Sequence, residues 1–141
     1  MSSPQLELEK EDFLCKAGDT DTDMYKIIDG ELLVFVLKGS QVTPLAYLGQ
    51  GEYVGELSYF DHEAKSAYVI ATKETRLKKI SNELIDHHFP DWLKKLAIDI
   101  TGKLRSADEL IRQKGIRRKK TESITPLSIE EQSHYYKLTQ A

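Results

Sequence analysis

Met24-Tyr25-Lys26-Ile27-Ile28-Asp29-Gly30-Glu31-Leu32-Leu33-Val34-Phe35-Val36-Leu37 is the stretch whose reading decides the fold. Two β-prone runs flank Asp29-Gly30. Such a pattern is a strong hairpin signal, because a type I′ turn needs positive φ at both central residues. Moving outward, the second run breaks at Lys38-Gly39-Ser40-Gln41 and returns as Val42 to Leu48, and Gly49-Gln50-Gly51 breaks it again. Ser66 to Ala71 and Arg76 to Ile80 supply later strands. Short strands at this regular spacing predict a barrel or sandwich rather than alternating β-α units.

The period changes after Ile80. Ser81 is placed to N-cap a short helix through Glu83, Leu84 and Ile85 that ends before Phe89-Pro90. Asp91 caps a longer helix, whose apolar residues Trp92, Leu93, Leu96, Ala97, Ile100, Leu104, Ala107, Leu110 and Ile111 make one stripe. Gly102 interrupts it at about 1 kcal/mol relative to alanine. From Gly115 the stripe fades into Arg117-Arg118-Lys119-Lys120 and a polar tail read as mostly disordered. The expected division is an N-terminal segment 1–12, a mainly β domain with C-terminal helices over 13–114, and a flexible tail 115–141.

The 141 residues suit one domain, and 40% hydrophobic with 30% charged residues is the balance of an ordinary soluble protein. No apolar run approaches the ~20 residues that span a bilayer, and Met1-Ser2-Ser3-Pro4-Gln5 lacks the basic and apolar regions of a secretory signal. The single cysteine, Cys15, has no disulfide partner or metal-ligand spacing and reads as a small strand residue. A cytoplasmic setting with no membrane association is the expectation. Residues 1–91 carry nine Lys/Arg against 17 Asp/Glu, a net of −8, whereas residues 92–141 carry 11 against six, a net of +5. An acidic body argues against a nucleic-acid surface and requires a specific local cation for any anionic ligand. His87-His88 lacks partners at metal spacing, and the acidic run Glu7, Glu9, Glu11 and Asp12 reads as solvated. The basic run Arg117 to Lys120 complements a helix C-terminus, with an acidic partner or nucleic acid as alternatives. No nucleophile elbow, P-loop, paired carboxylates or metal signature supports an enzyme, so no catalytic residue, cofactor or metal ligand is assigned.

Four segments, in order, carry a resemblance. Ala17-Gly18-Asp19 precedes Met24-Tyr25-Lys26-Ile27-Ile28-Asp29-Gly30-Glu31. Then come Leu48-Gly49-Gln50-Gly51-Glu52-Tyr53-Val54-Gly55-Glu56-Leu57, Lys65-Ser66-Ala67, and Ala71-Thr72 with Leu77 to Ile80. Over roughly residues 13–112 this resembles the cyclic nucleotide-binding domain of bacterial transcription regulators, cyclic nucleotide-dependent kinases and gated channels. The resemblance implies a jelly-roll-like β-roll, a double-stranded β-helix, with a phosphate-binding cassette at Gly55 to Ala67. It names Gly55, Glu56, Leu57, Ser58, Lys65, Ser66 and Ala67 as ligand-binding residues.

Within such a cassette Gly55 permits close backbone approach, and a helix start near Glu56-Leu57 would present N–H groups to a phosphate. The resemblance implies that Glu56 bonds the ribose 2′-hydroxyl and that position 65 pairs with the cyclic phosphate. The family's arginine is there replaced by Lys65, which exchanges a planar fork for one compact charge. That exchange lowers affinity by roughly 10- to 150-fold. His62 is a candidate extra donor, Ser66 leans towards cGMP over cAMP, and Tyr68 either intrudes on the pocket or packs. Tyr59-Phe60 reads as core rather than base-lining.

Two functions follow as expectations. One is a non-catalytic sensor of cAMP or cGMP signalling through the C-terminal helix to a protein partner. The other is a protein-interaction adaptor on the same fold that no longer binds nucleotide. The stripe 93, 96, 100, 103, 107, 110 is close to a heptad seam with Lys103 at one position, which suggests a homodimer through the 92–112 helix. The family's transcription regulators carry a helix-turn-helix domain after this helix. Only 21 residues follow Lys120 here, so DNA binding by this chain alone is not expected.

Overall fold

A computed structural model describes residues 5–80, 89–114 and 126–141. Eight strands run β1 (Gln5–Leu8), β2 (Phe13–Cys15), β3 (Met24–Asp29), β4 (Leu32–Lys38), β5 (Gln41–Leu48), β6 (Tyr53–Val54), β7 (Tyr68–Ala71) and β8 (Thr75–Ile80). Helix α1 (Glu56–Asp61) lies between β6 and β7, and α2 (Asp91–Lys114) and α3 (Ile129–Thr139) follow. The strands form two antiparallel four-stranded sheets, in the orders β1-β8-β3-β6 and β2-β7-β4-β5. Leu8, Ile27, Val54 and Leu77 from one sheet meet Cys15, Leu32, Val69 and Ala71 from the other in a shared core. This is the expected β-roll with C-terminal helices.

Strand β4 explains why its sequence, LLVFVLK, does not alternate. Leu32 faces the core between the sheets, whereas Leu33 and Phe35 face outward into a second cluster under α3. A strand covered on both faces reads as a continuous apolar run. Strands β4 and β5 form the hairpin expected at Gly39, with Lys38 opposite Gln41.

The hairpin expected at Asp29-Gly30 is corrected. Strand β3 pairs with β6 and β8, and β4 pairs with β5 and β7, so the chain changes sheets at this point. Gly30 has φ 110°, and a Cβ there would lie 2.4 Å from Thr75 Oγ1. The glycine serves a close crossing over Thr75, whose hydroxyl accepts the Glu31 N–H at 3.1 Å.

Two expectations at the chain ends are also corrected. Within residues 1–12, Gln5–Leu8 is a strand paired with β8, with Leu6 and Leu8 directed to the core while Gln5 and Glu7 are exposed. Within the expected flexible tail, α3 is an ordered helix with a capping box. The Ser128 hydroxyl accepts the Glu131 N–H, and the Glu131 carboxylate accepts the Ser128 N–H. Leu127, Tyr135, Tyr136 and Leu138 pack on Leu33, Phe35, Val42 and Ile70, which offsets the ordering entropy of the segment. The helix expected after Ser81, the His87-His88 pair and the Arg117 to Lys120 run lie outside the described residues.

Helix α2 has two faces instead of one stripe. Ala97, Thr101, Leu104, Arg105, Asp108 and Ile111 lie towards the roll, while Trp92, Leu96, Ile100 and Leu110 remain exposed. The inward residues recur at three and four residues, and Trp92, Leu96 and Ile100 recur every fourth residue, so each set keeps to one side of the helix. Among the described residues, no helix is long and apolar enough to cross a membrane.

Candidate functional site

Strand β6 ends at Val54, and Gly55 turns the chain into α1 in the left-handed region at φ 85°. Two constraints demand glycine there. The backbone angle disfavours any side chain, and a Cβ would lie 2.4 Å from the Asp23 carbonyl and 3.1 Å from Lys65 Nζ. Helix α1 ends at His62, also left-handed at φ 59°, whose N–H bonds the Ser58 carbonyl. The segment then returns to β7 through Lys65, Ser66 and Ala67.

This return places both halves of the cassette on one cavity of about 240 Å³. Gly55, Glu56, Leu57, Ser58, Lys65, Ser66 and Ala67 all line it. Cys15, Val34 and Val69 supply apolar wall, and Leu104, Arg105, Asp108 and Ile111 of α2 close it. His62 is not among the lining residues, so its expected role as an extra donor finds no support in the geometry.

Tyr68 does not intrude. Alternation along β7 turns Val69 and Ala71 towards the core between the sheets and Tyr68 outward, where it stacks on Phe35 at 5.2 Å and 6°. Tyr59 is buried edge-on to Phe60, as core packing requires.

Lys65 is 8% exposed. Its ammonium donates to the Asp23 carbonyl at 2.8 Å and lies 3.7 Å from Asp21 Oδ1. Its backbone is equally fixed: the Lys65 N–H bonds the Asp19 carbonyl, and the Gly18 N–H bonds the Lys65 carbonyl, each at 2.8 Å. The acidic loop 19–23 thus orients the cassette's cation. It also partly neutralises that cation before any ligand arrives.

Sequence reasoning missed Arg105, the second cation on the cavity. Its Nε donates to Asp61 Oδ2 at 2.5 Å, and Nη2 donates to Asp61 Oδ1 at 3.0 Å and to Ser58 Oγ at 3.2 Å. Nη1 donates to the Ala64 carbonyl at 3.0 Å. Burial raises the Asp61 carboxyl, and the Arg105 guanidinium, together with the Glu63 N–H, more than offsets that and holds it below the usual carboxylate range. One hint was present in the sequence. Thr101, Arg105 and Asp108 interrupt the apolar residues at positions four and three apart, which puts polar groups on the inward face. Opposite them, burial pushes the Cys15 thiol up to about 12.

The strand-helix-strand insert of this β-roll and its C-terminal helix enclose one small cavity lined by Lys65 and Arg105. The Cyclic nucleotide-binding domain profile matches residues 5–88, and the chain belongs to that family. The cyclic AMP receptor protein of Thermus thermophilus is 32% identical over 95 residues, covering 64% of this chain and 44% of that protein. Among solved structures, the cAMP-bound form of the EAL enzyme Bd1971 is 26% identical with a TM-score of 0.67, over 79% of this chain and 31% of that one. The Thermus thermophilus catabolite activator protein is 28% identical with a TM-score of 0.61, over 79% and 54% respectively. The chain therefore spans less than half the length of the curated relative.

Proposed function

We propose that this chain is a non-catalytic regulatory module that takes cAMP or cGMP in the cavity and signals through α2 to a partner protein. The observation that carries this reading is the convergence of residues 55–58 and 65–67 on one cavity closed by α2. In this reading Lys65 pairs with the cyclic phosphate, Glu56 bonds the ribose 2′-hydroxyl, and the Ser66 hydroxyl favours guanine. Relatives named for cyclic AMP, and one solved in its cAMP-bound form, support the ligand class. Transmission is a population shift: a ligand that fits one placement of α1 and α2 better stabilises it by its differential affinity, about 1–3 kcal/mol.

Melting curves with cAMP and cGMP test the reading. Ligand at a hundred times its Kd is expected to stabilise the fold by about 2.7 kcal/mol, and no shift at millimolar nucleotide would overturn it. Lys65→Arg is expected to tighten binding about tenfold, because a fork replaces a point charge. Calorimetry measures it.

A second reading, the adaptor that binds no nucleotide, draws on the engagement of Lys65 by the Asp23 carbonyl and Asp21. Silence of both the native protein and Lys65→Arg towards nucleotide would favour it.

The exposed face of α2 supports a homodimer. Trp92 is 66% exposed, and Leu96, Ile100 and Leu110 continue the same stripe. Leu96→Glu is expected to convert a dimer to a monomer in light scattering. A native protein already monomeric at micromolar concentration would end the idea.

A further inference from the structure

Arg105 stands between the cavity and Asp61. It lines the cavity together with Ser58, whereas Asp61 does not. Its guanidinium bonds three points of one segment: the Ser58 hydroxyl, both oxygens of the Asp61 carboxylate and the Ala64 carbonyl. Arg105 comes from α2 and all three partners come from α1 and the loop after it. This side chain therefore ties the cassette to the helix. Asp61 is the last residue of α1, where a carboxylate sits beside the negative end of the helix and gains most from a cation.

A cyclic phosphate entering the cavity meets two cations. Lys65 presents a point charge already bonded to the Asp23 carbonyl. Arg105 presents a fork whose planar geometry suits phosphate oxygens as well as carboxylate oxygens. Exchanging one anion for another at the same guanidinium leaves its charge paired throughout. The Asp61 carboxylate is 10% exposed while paired, so its release requires the end of α1 to shift until water reaches it.

We propose that Arg105 is a ligand-binding residue held in reserve by Asp61: the phosphate draws the guanidinium from Asp61, and the tie between α1 and α2 opens as the ligand binds. This rests on the cyclic-nucleotide reading and deepens it. Arg105 supplies the fork that position 65 lacks, and the same event releases α2. In the free protein the tie lowers apparent affinity, because the binding-competent placement of Arg105 is only a minor fraction of the population.

The test is calorimetric titration of the native chain, Asp61→Asn and Arg105→Met with cAMP and cGMP. If Asp61 competes with ligand, Asp61→Asn binds about tenfold tighter, the gain expected when a state roughly one-tenth populated becomes dominant. Arg105→Met binds at least about tenfold weaker through loss of a charge-assisted pair. If Arg105 merely braces the cassette, both variants weaken, and the proposal is overturned while the nucleotide reading stands. If none of the three proteins binds either nucleotide, the reading fails and the latch with it. Should Asp61→Asn fail to fold, carbon-detected titration of the Asp61 carboxyl in the native chain serves instead. Its midpoint rises towards the ordinary carboxylate value on saturation with nucleotide; an unchanged midpoint overturns the proposal.

Discussion

Gly55→Ala is expected to lose about 3 kcal/mol or more of folding stability and to lose nucleotide binding altogether. Two penalties add. The left-handed backbone at φ 85° disfavours a side chain, and the new methyl would lie 2.4 Å from the Asp23 carbonyl. Neither β3 nor the cassette moves alone, since Lys65 Nζ bonds that carbonyl and lies 3.1 Å from the same methyl. Relief of the clash therefore displaces the cation. Gly51 is the matched control, because it shares φ 85° but has nothing within 4 Å of an added Cβ. Gly51→Ala isolates the backbone penalty and is expected to cost about 1 kcal/mol. Urea unfolding of both variants measures the difference. Equal losses would show that the Asp23 carbonyl does not crowd position 55.

Phe35→Ala is expected to cost about 3–5 kcal/mol, the range for a large aromatic side chain removed from a packed core. Phe35 is wholly buried on the outer face of β4. It stacks on Tyr68 and meets Phe13 at 6.5 Å and Tyr135 of α3 at 5.9 Å. Loss of the ring removes the surface on which α3 rests. The α3 amides should then exchange with solvent much faster than those of β3, which faces the other core. Retained protection of α3 would show that the helix is held by its own cap and not by this cluster.

Strands β3, β4, β5, β7 and β8 are visible because each is a β-prone run bounded by glycine or polar residues, whereas β6, of two residues, is too short to be read. The pairing at Asp29-Gly30 was misread because the local signal for a tight turn and for a change of sheet is the same. What distinguishes them is Thr75, 45 residues later in the chain, against which Gly30 packs. Helix α3 carried a legible start, Ser128 and Glu131 in a capping box, but its polar composition gave no hint of a partner. Its partner Phe35 lies far away in sequence, and the outward direction of Tyr68, which stacks on Phe35, depends on the pairing parity of β7.

The segment from Gly55 to Ala67 stood out through its resemblance to the family's cassette, and all seven residues singled out there line one cavity. Arg105 did not stand out, since its partner Asp61 is 44 positions away and a lone arginine in a helical stripe reads as solvated. Local chemistry is thus readable, whereas long-range pairing of charges requires the fold.

Amide chemical-shift mapping of the native chain with cAMP and cGMP tests the central claim most directly. The account predicts ligand-dependent shifts at Gly55 to Ser58, at Lys65 to Ala67, and along α2 around Arg105, with the outer cluster of Phe35 and Tyr135 less affected. Shifts confined to other surfaces, or none at millimolar nucleotide, would contradict it.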